Sequence, residues 1–197
     1  MLISKFDNTN IERHIKEFEE KYSFKFPKQY RDFLLKYNGG RTPKSRFKIG
    51  KVDSDIRAFY GLGGVNEYYD YSFFVEGMNT LTDYLEDGFV PIGTTVLGDK
   101  VVIGIKGKNY GNVYFYYHDM PKKYVKLTEN FITFVDKCKS KKIGHIMTIE
   151  ERRQTMIDNG FGSVVSPERL KGWQAEIDLY SNMHQEKLIL KENDLER

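Results

Sequence analysis

The chain of 197 residues contains very little cysteine and tryptophan, with Cys138 and Trp173 as single copies. One cysteine excludes an internal disulfide and favours a reducing compartment. The longest mostly aliphatic run, Val101–Ile105, is far too short to span a bilayer. The first ten residues carry no apolar segment of the kind found in secretory signals. We therefore expect a cytoplasmic protein without a membrane partner.

Residue patterns typical of enzymes and metal sites are also missing. The chain has no Gly-x-Ser-x-Gly nucleophile motif. Gly61-Leu62-Gly63-Gly64 begins like a dinucleotide-binding loop, but Asn66 stands where the last glycine of that motif is required. No two histidines have a metal-ligand spacing among His14, His118, His145 and His184. We therefore expect a protein that is not an enzyme and has no catalytic residue, metal or cofactor.

Aromatic residues and segregated charge are the features that the chain has in excess. Tyrosine and phenylalanine occur 14 times each, and the net charge is only +3. Residues 1–51 and 100–142 each carry a net charge of +7, whereas residues 52–87 carry −7. Such an uneven distribution steers association and selects partners, but it does not determine a fold.

Three helices are predicted in the first 142 residues. A stripe of apolar residues from Ile11 to Tyr22 predicts the first, with Thr9–Glu12 as its capping box. The second begins at Pro27 and ends at Asn38-Gly39-Gly40. Its predicted buried face consists of Tyr30, Phe33, Leu34 and Tyr37. A third helix, which carries Phe131, Phe134, Val135 and Cys138, is predicted to be capped by Thr128.

Short runs rich in Val, Ile and Tyr, separated by glycine-containing turns, predict strands. These runs are 47–49, 56–60, 89–92, 100–105, 112–117 and 124–127. Residues 65–87 indicate a loop or a weak helix. Two more helices are expected after residue 142, the first with a capping box at Thr148 and the second starting at Pro167. We predict a domain over residues 1–142 and a helical extension over 143–197, packed on it through Trp173.

Several short motifs follow one another along residues 11–137. They are Phe26–Leu34, Tyr37–Gly40, Phe59–Gly63, Pro91–Gly93, Gly98-Asp99, Gly111–Phe115 with His118-Asp119, and Asn130–Val135. Their order and spacing resemble the SUKH superfamily, the Smi/Knr-type domain. The resemblance implies an α+β fold with a mostly antiparallel sheet flanked by helices, here with a C-terminal helical extension that lies outside it.

The resemblance also implies a role without catalysis. Bacterial members of the superfamily are immunity proteins, each of which binds and neutralises a cognate toxin from a polymorphic or contact-dependent toxin system, often a nuclease. Fungal relatives regulate cell-wall synthesis, so a regulatory scaffold is the alternative. We expect a cognate toxin protein as the partner and occlusion of the toxin as the mechanism.

The acidic segment 52–87 is the predicted partner-binding surface. Carboxylates complement the basic cleft of a nuclease toxin, and tyrosines are frequent at the centres of protein interfaces. The predicted partner-binding residues are Asp53, Asp55, Glu67, Tyr68, Tyr69, Asp70, Tyr71 and Glu76. Phe73 and Phe74, in the same segment, are instead expected in the core.

RNA binding is a third and weaker hypothesis. Lys108–Phe115 resembles the RNA-recognition strand motif at five of its eight positions. Asn112 stands where that motif needs an aromatic ring to stack on a base. The ten lysines of residues 100–142 would suit phosphate groups. Because the stacking residue is missing, we do not expect nucleic acid as the main partner.

Overall fold

A computed structural model describes residues 1–74, 81–120, 123–181 and 183–190. The chain divides into two units, Met1–Lys141 with the described part of Gln185–Arg197, and Lys142–His184. The strands are β1 (Leu2–Lys5), β2 (Gly40–Ile49), β3 (Val52–Phe59), β4 (Phe89–Thr94), β5 (Lys100–Gly104), β6 (Val113–Tyr116), β7 (Tyr124–Thr128), β8 (Lys139–Ser140) and β9 (Glu186–Lys187). The helices are α1 (Ile11–Lys21), α2 (Lys28–Tyr37), α3 (Leu81–Glu86), α4 (Phe131–Lys137), α5 (Ile149–Asp158) and α6 (Pro167–Ser181).

One antiparallel sheet organises the first unit. Its described strands follow the order β7-β6-β5-β4-β3-β2-β1-β9, and β8 pairs with β2 as well. Strands that are neighbours in the sequence from β2 to β7 are also neighbours in the sheet, although the connection from β3 to β4 is long and includes α3. The predicted α+β fold with a mostly antiparallel sheet and a C-terminal helix is confirmed.

Aromatic rings from two helices and one strand form the centre of the core. The ring centroids of Phe33 in α2 and Phe59 in β3 lie 5.1 Å apart, and Phe131 in α4 lies 5.1 Å from Phe33. All three side chains are fully buried. The predicted buried face of α2 is confirmed, because its Tyr30, Phe33, Leu34 and Tyr37 are all buried.

Of the three predicted helix caps, the one at Thr148 is right, and those at Thr9 and Thr128 are wrong. Asn10 precedes α1 in the left-handed region (φ 57°) without a side-chain cap, while the Thr9 hydroxyl donates to Asp7 instead (2.8 Å). Asn130, not Thr128, caps α4, since its side chain accepts from the Thr133 amide at 2.8 Å. The capping box at Thr148 is confirmed, with Glu151 as its second member.

Three short strands, β1, β8 and β9, escape the sequence patterns, and β2 is longer than predicted. β1 and β9 are short and pair with each other, so their stability depends on contacts distant in sequence. α3 lies in the segment assigned to a loop or weak helix. β2 is ten residues long, and the part that precedes the predicted strand 47–49 includes the buried polar residues Thr42 and Ser45, which an apolar pattern does not reveal. A register shift between Arg41 and Ser45 interrupts its pairing with β3.

The second unit consists mainly of α5 and α6. Arg152 links them, since its guanidinium lies 2.8 Å from the Glu176 carboxylate and 5.8 Å from the Trp173 ring centroid. Trp173 therefore has a contact within its own unit, and its predicted docking on the first unit stays a prediction. Among the described residues, no helix has both the length and the apolar character needed to cross a membrane.

The burial of Cys138 predicts its reactivity. Removal from water raises the pKa of the Cys138 thiol to about 12, so almost none of it is the reactive thiolate at neutral pH. We expect alkylation by iodoacetamide at pH 7.5 to be slow in the native protein and fast in 6 M guanidinium, measured by mass spectrometry. Rapid alkylation of the native protein would show that this end of α4 is open to solvent.

Candidate functional site

The segment Gly61–Tyr71, which follows β3, forms a closed loop that we call the recognition loop. Main-chain hydrogen bonds join its two ends, from the Gly61 amide to the Tyr69 carbonyl (2.8 Å) and from the Tyr71 amide to the Gly61 carbonyl (2.9 Å). Within it, the Asp70 amide donates to the Asn66 carbonyl at 3.1 Å. These bonds fix where the loop leaves the sheet and where it returns.

The carboxylate of Asp70 holds the loop from inside. One oxygen accepts from the amides of Gly64 (2.8 Å) and Val65 (3.1 Å), and the other accepts from the amide of Ser72 (2.8 Å). Asp70 is only 3% exposed. A buried carboxylate is stable only when such donors replace its hydration shell, so the charge and the loop conformation depend on each other.

Asn38 connects the recognition loop to the end of α2. Its side-chain amide donates to the Leu62 carbonyl and accepts from the Leu62 amide, both at 2.9 Å. It also donates to the Asp7 carbonyl at 2.6 Å. Asn38 itself has φ 47°, and Gly39 follows with φ 76° so close to Tyr60 that a Cβ there would lie 2.5 Å from the Tyr60 carbonyl oxygen. The helix end therefore determines the position of the loop.

Two tyrosines of the loop support it from below. The Tyr71 hydroxyl donates to the Pro91 carbonyl at 2.6 Å and lies 3.2 Å from the Tyr30 hydroxyl. Burial raises the pKa of Tyr71 well above its ordinary value, so this hydroxyl remains a donor. The ring of Tyr69 is buried, and its centroid lies 5.0 Å from the Arg41 guanidinium.

Glu67 and Tyr68 are the side chains that the loop presents to solvent. Both are exposed, Tyr68 to 57%. The side chain of Asn66 accepts from the amides of Tyr68 (3.0 Å) and Tyr69 (3.2 Å), which fixes the backbone beneath them. A hydrogen bond to the Glu67 carboxylate raises the pKa of Tyr68, because the bond stabilises the protonated hydroxyl. The result is an acidic and aromatic tip on a fixed backbone.

A sequence profile of the SMI1/KNR4 family (SUKH-1) matches residues 12–137. The chain belongs to this family. The match runs from α1 to the last residue of α4 and includes the whole recognition loop. No curated protein matches the chain in a sequence comparison. Lys142–His184 lies outside the SMI1/KNR4 domain.

Five of the predicted partner-binding residues lie on the loop, but their side chains do not share one environment. Glu67 and Tyr68 are at the surface, whereas Tyr69 and Asp70 are buried. Tyr71, at the end of the loop, is buried as well. The side chains of Tyr69, Asp70 and Tyr71 support the loop conformation from inside, so they have little contact with solvent. Phe74 is buried as expected, and Phe73 is half-buried.

The other three predicted partner-binding residues lie apart from the loop or outside the described chain. Asp53 and Asp55 are on β3, where the register places them opposite Lys48 and Arg46 of β2. Arg46 lies 3.1 Å from the Asp53 carboxylate. These cations offset the two acids, so this part of the SMI1/KNR4 domain is not an acidic surface. Glu76 lies outside the described residues.

One group of side chains in the described residues could hold a metal ion. Asp99, His118 and Asp119 bring one potential ligand atom each within 4.8 Å of one another. His118 Nδ1 lies 2.7 Å from an Asp99 oxygen, which also accepts from the His118 amide at 3.1 Å. These two hydrogen bonds join the end of β6 to the β4–β5 turn. This structural contact is enough to explain why the side chains lie together.

The motif that suggested RNA binding has a different setting here. Lys108 and Asn109 lie in a short 3₁₀ turn (Gly107–Asn109), and Phe115 is buried under the sheet. A ring that stacks on a base must face solvent, and Phe115 does not. Tyr110, the aromatic residue at the third position of the motif, is 51% exposed but lies in the turn before β6 and not on the strand.

Because Asp70 accepts three main-chain hydrogen bonds, its substitution should destabilise the protein more than substitution of an exposed acid. Asp70→Asn places an NH₂ group where an oxygen accepts a hydrogen bond, so at least one main-chain amide loses its partner. We expect the free energy of unfolding, from urea titration, to fall by about 1–3 kcal/mol. The matched control Glu67→Gln should change it by less than about 0.5 kcal/mol. Equal effects of the two changes would contradict the account of the loop.

Proposed function

We propose that this chain is an immunity protein, which binds a cognate toxin and neutralises it by covering its active surface without any catalytic step. Membership of the SMI1/KNR4 family supports the proposal. The observation that carries it is the recognition loop, which presents Tyr68 and Glu67 on a backbone held by Asp70 and Asn38.

A fixed loop suits tight binding for a physical reason. Ordering a flexible segment on association reduces affinity, and a loop that is already ordered avoids much of this loss. Tyr68 offers a large ring and a hydroxyl, a combination that often dominates interface energies. The Glu67 carboxylate adds a charge that accelerates encounter with a basic surface. A nuclease toxin, whose nucleic-acid cleft is basic, is the partner that this tip would fit, and the cytoplasm is where such a toxin acts.

The test is co-expression with the protein that the adjacent open reading frame encodes, taken as the candidate toxin. The double variant Glu67→Lys/Tyr68→Ala should lose rescue from the toxin and slow association by about tenfold or more, measured by surface plasmon resonance. Its free energy of unfolding should change by less than about 0.5 kcal/mol, because both side chains are exposed.

A matched control is available in the same domain. Glu86→Lys/Tyr110→Ala makes the same chemical changes at exposed positions outside the recognition loop, and we expect it to keep full rescue. Full rescue by both variants would remove the loop from the interface, and loss of rescue in both would show that the effect is not specific to the loop. Several partners with no rescue by the wild type would instead support a regulatory scaffold.

A further inference from the structure

Exposed cations cluster on the outer face of three adjacent strands, which we call the basic face. Arg46 in β2 lies directly opposite Lys139 in β8, and the Lys141 amide donates to the Lys44 carbonyl at 3.4 Å. All cations of the basic face are exposed: Lys44, Arg46, Lys48, Arg57, Lys139 and Lys141.

The basic face keeps a positive excess in spite of two carboxylates. Asp53 lies 3.1 Å from Arg46, and Asp55 accepts from the Val96 amide at 3.2 and 3.3 Å. Like charges directly opposite in a sheet, such as Arg46 and Lys139, destabilise it. An anionic partner would relieve this repulsion.

An exposed aliphatic turn adjoins the basic face. The hydrogen bond from Val96 to Asp55 ties the β4–β5 turn to β3, and it leaves Val96 62% and Leu97 78% exposed. Two neighbouring aliphatic side chains at the tip of a turn are an apolar anchor beside a charged surface.

We propose that the basic face and the Val96–Leu97 turn together dock an acidic protein segment that also carries aliphatic side chains. Charge complementarity favours an anion, and the turn offers the aliphatic side chains a contact that a phosphate backbone would not use. The described residues of this face include no exposed aromatic ring that could stack on a base, so single-stranded nucleic acid fits it less well. The surface is separate from the recognition loop, so this inference does not depend on the proposed function.

The test uses three fluorescent probes of equal charge with the full chain: a peptide of Glu and Leu, a peptide of Glu alone, and oligouridylate. By fluorescence anisotropy, the Glu/Leu peptide should bind tightest. Arg57→Glu/Lys139→Glu should weaken its binding by about tenfold, and Leu97→Ser by about threefold. The control Lys108→Glu/Lys187→Glu, at exposed lysines elsewhere, should change it by less than about twofold. Circular dichroism checks that each variant is folded.

Three results would overturn the proposal. The first is that no probe binds the wild type, and the second is that oligouridylate binds tightest. The third is that the control weakens binding as much as the basic-face variants. Toxin rescue is not measured here, so none of these results bears on the immunity role, and loss of that role would leave the peptide measurements unchanged.

Discussion

A buried carboxylate determines the form of the candidate site. Asp70 has lost almost all contact with water, and the amides of Gly64, Val65 and Ser72 replace it. An ion without such donors would destabilise the fold by several kcal/mol. Burial of Asp70 therefore requires this conformation of the loop, and the loop has it in the native state before any partner binds.

The other features of the site follow from this constraint. Asn38 acts in the same way at the end of α2, because its buried side-chain amide hydrogen-bonds to main-chain groups of Leu62 and Asp7. Tyr71 then anchors the loop to β4 through the Pro91 carbonyl. Three buried polar side chains thus hold the backbone beneath Tyr68 and Glu67. Because the backbone is already ordered, a partner bound at the proposed surface would have to match it without rearranging the loop.

The sequence predicted the periodic elements well and the site only in part. The spacing of Tyr30, Phe33 and Leu34 is a helical pattern, and it identified the buried face of α2 correctly. In Tyr69-Asp70-Tyr71 no local pattern distinguishes a buried acid from an exposed one. Its burial depends on amides six and five residues earlier, which become its neighbours only when the loop closes. The net charge of segment 52–87 does not show that Asp53 and Asp55 lie beside cations of β2. Strand register brings these residues together although they belong to different segments of the sequence.

Amide hydrogen exchange of the free protein, followed by NMR, tests most directly whether the loop is ordered before any partner binds. The amides of Gly64, Val65 and Ser72 should exchange at least about 100-fold more slowly than that of Gly162, which is exposed between α5 and α6. Exchange of these three amides as fast as that of Gly162 would contradict the account, because the loop would then be open in solution.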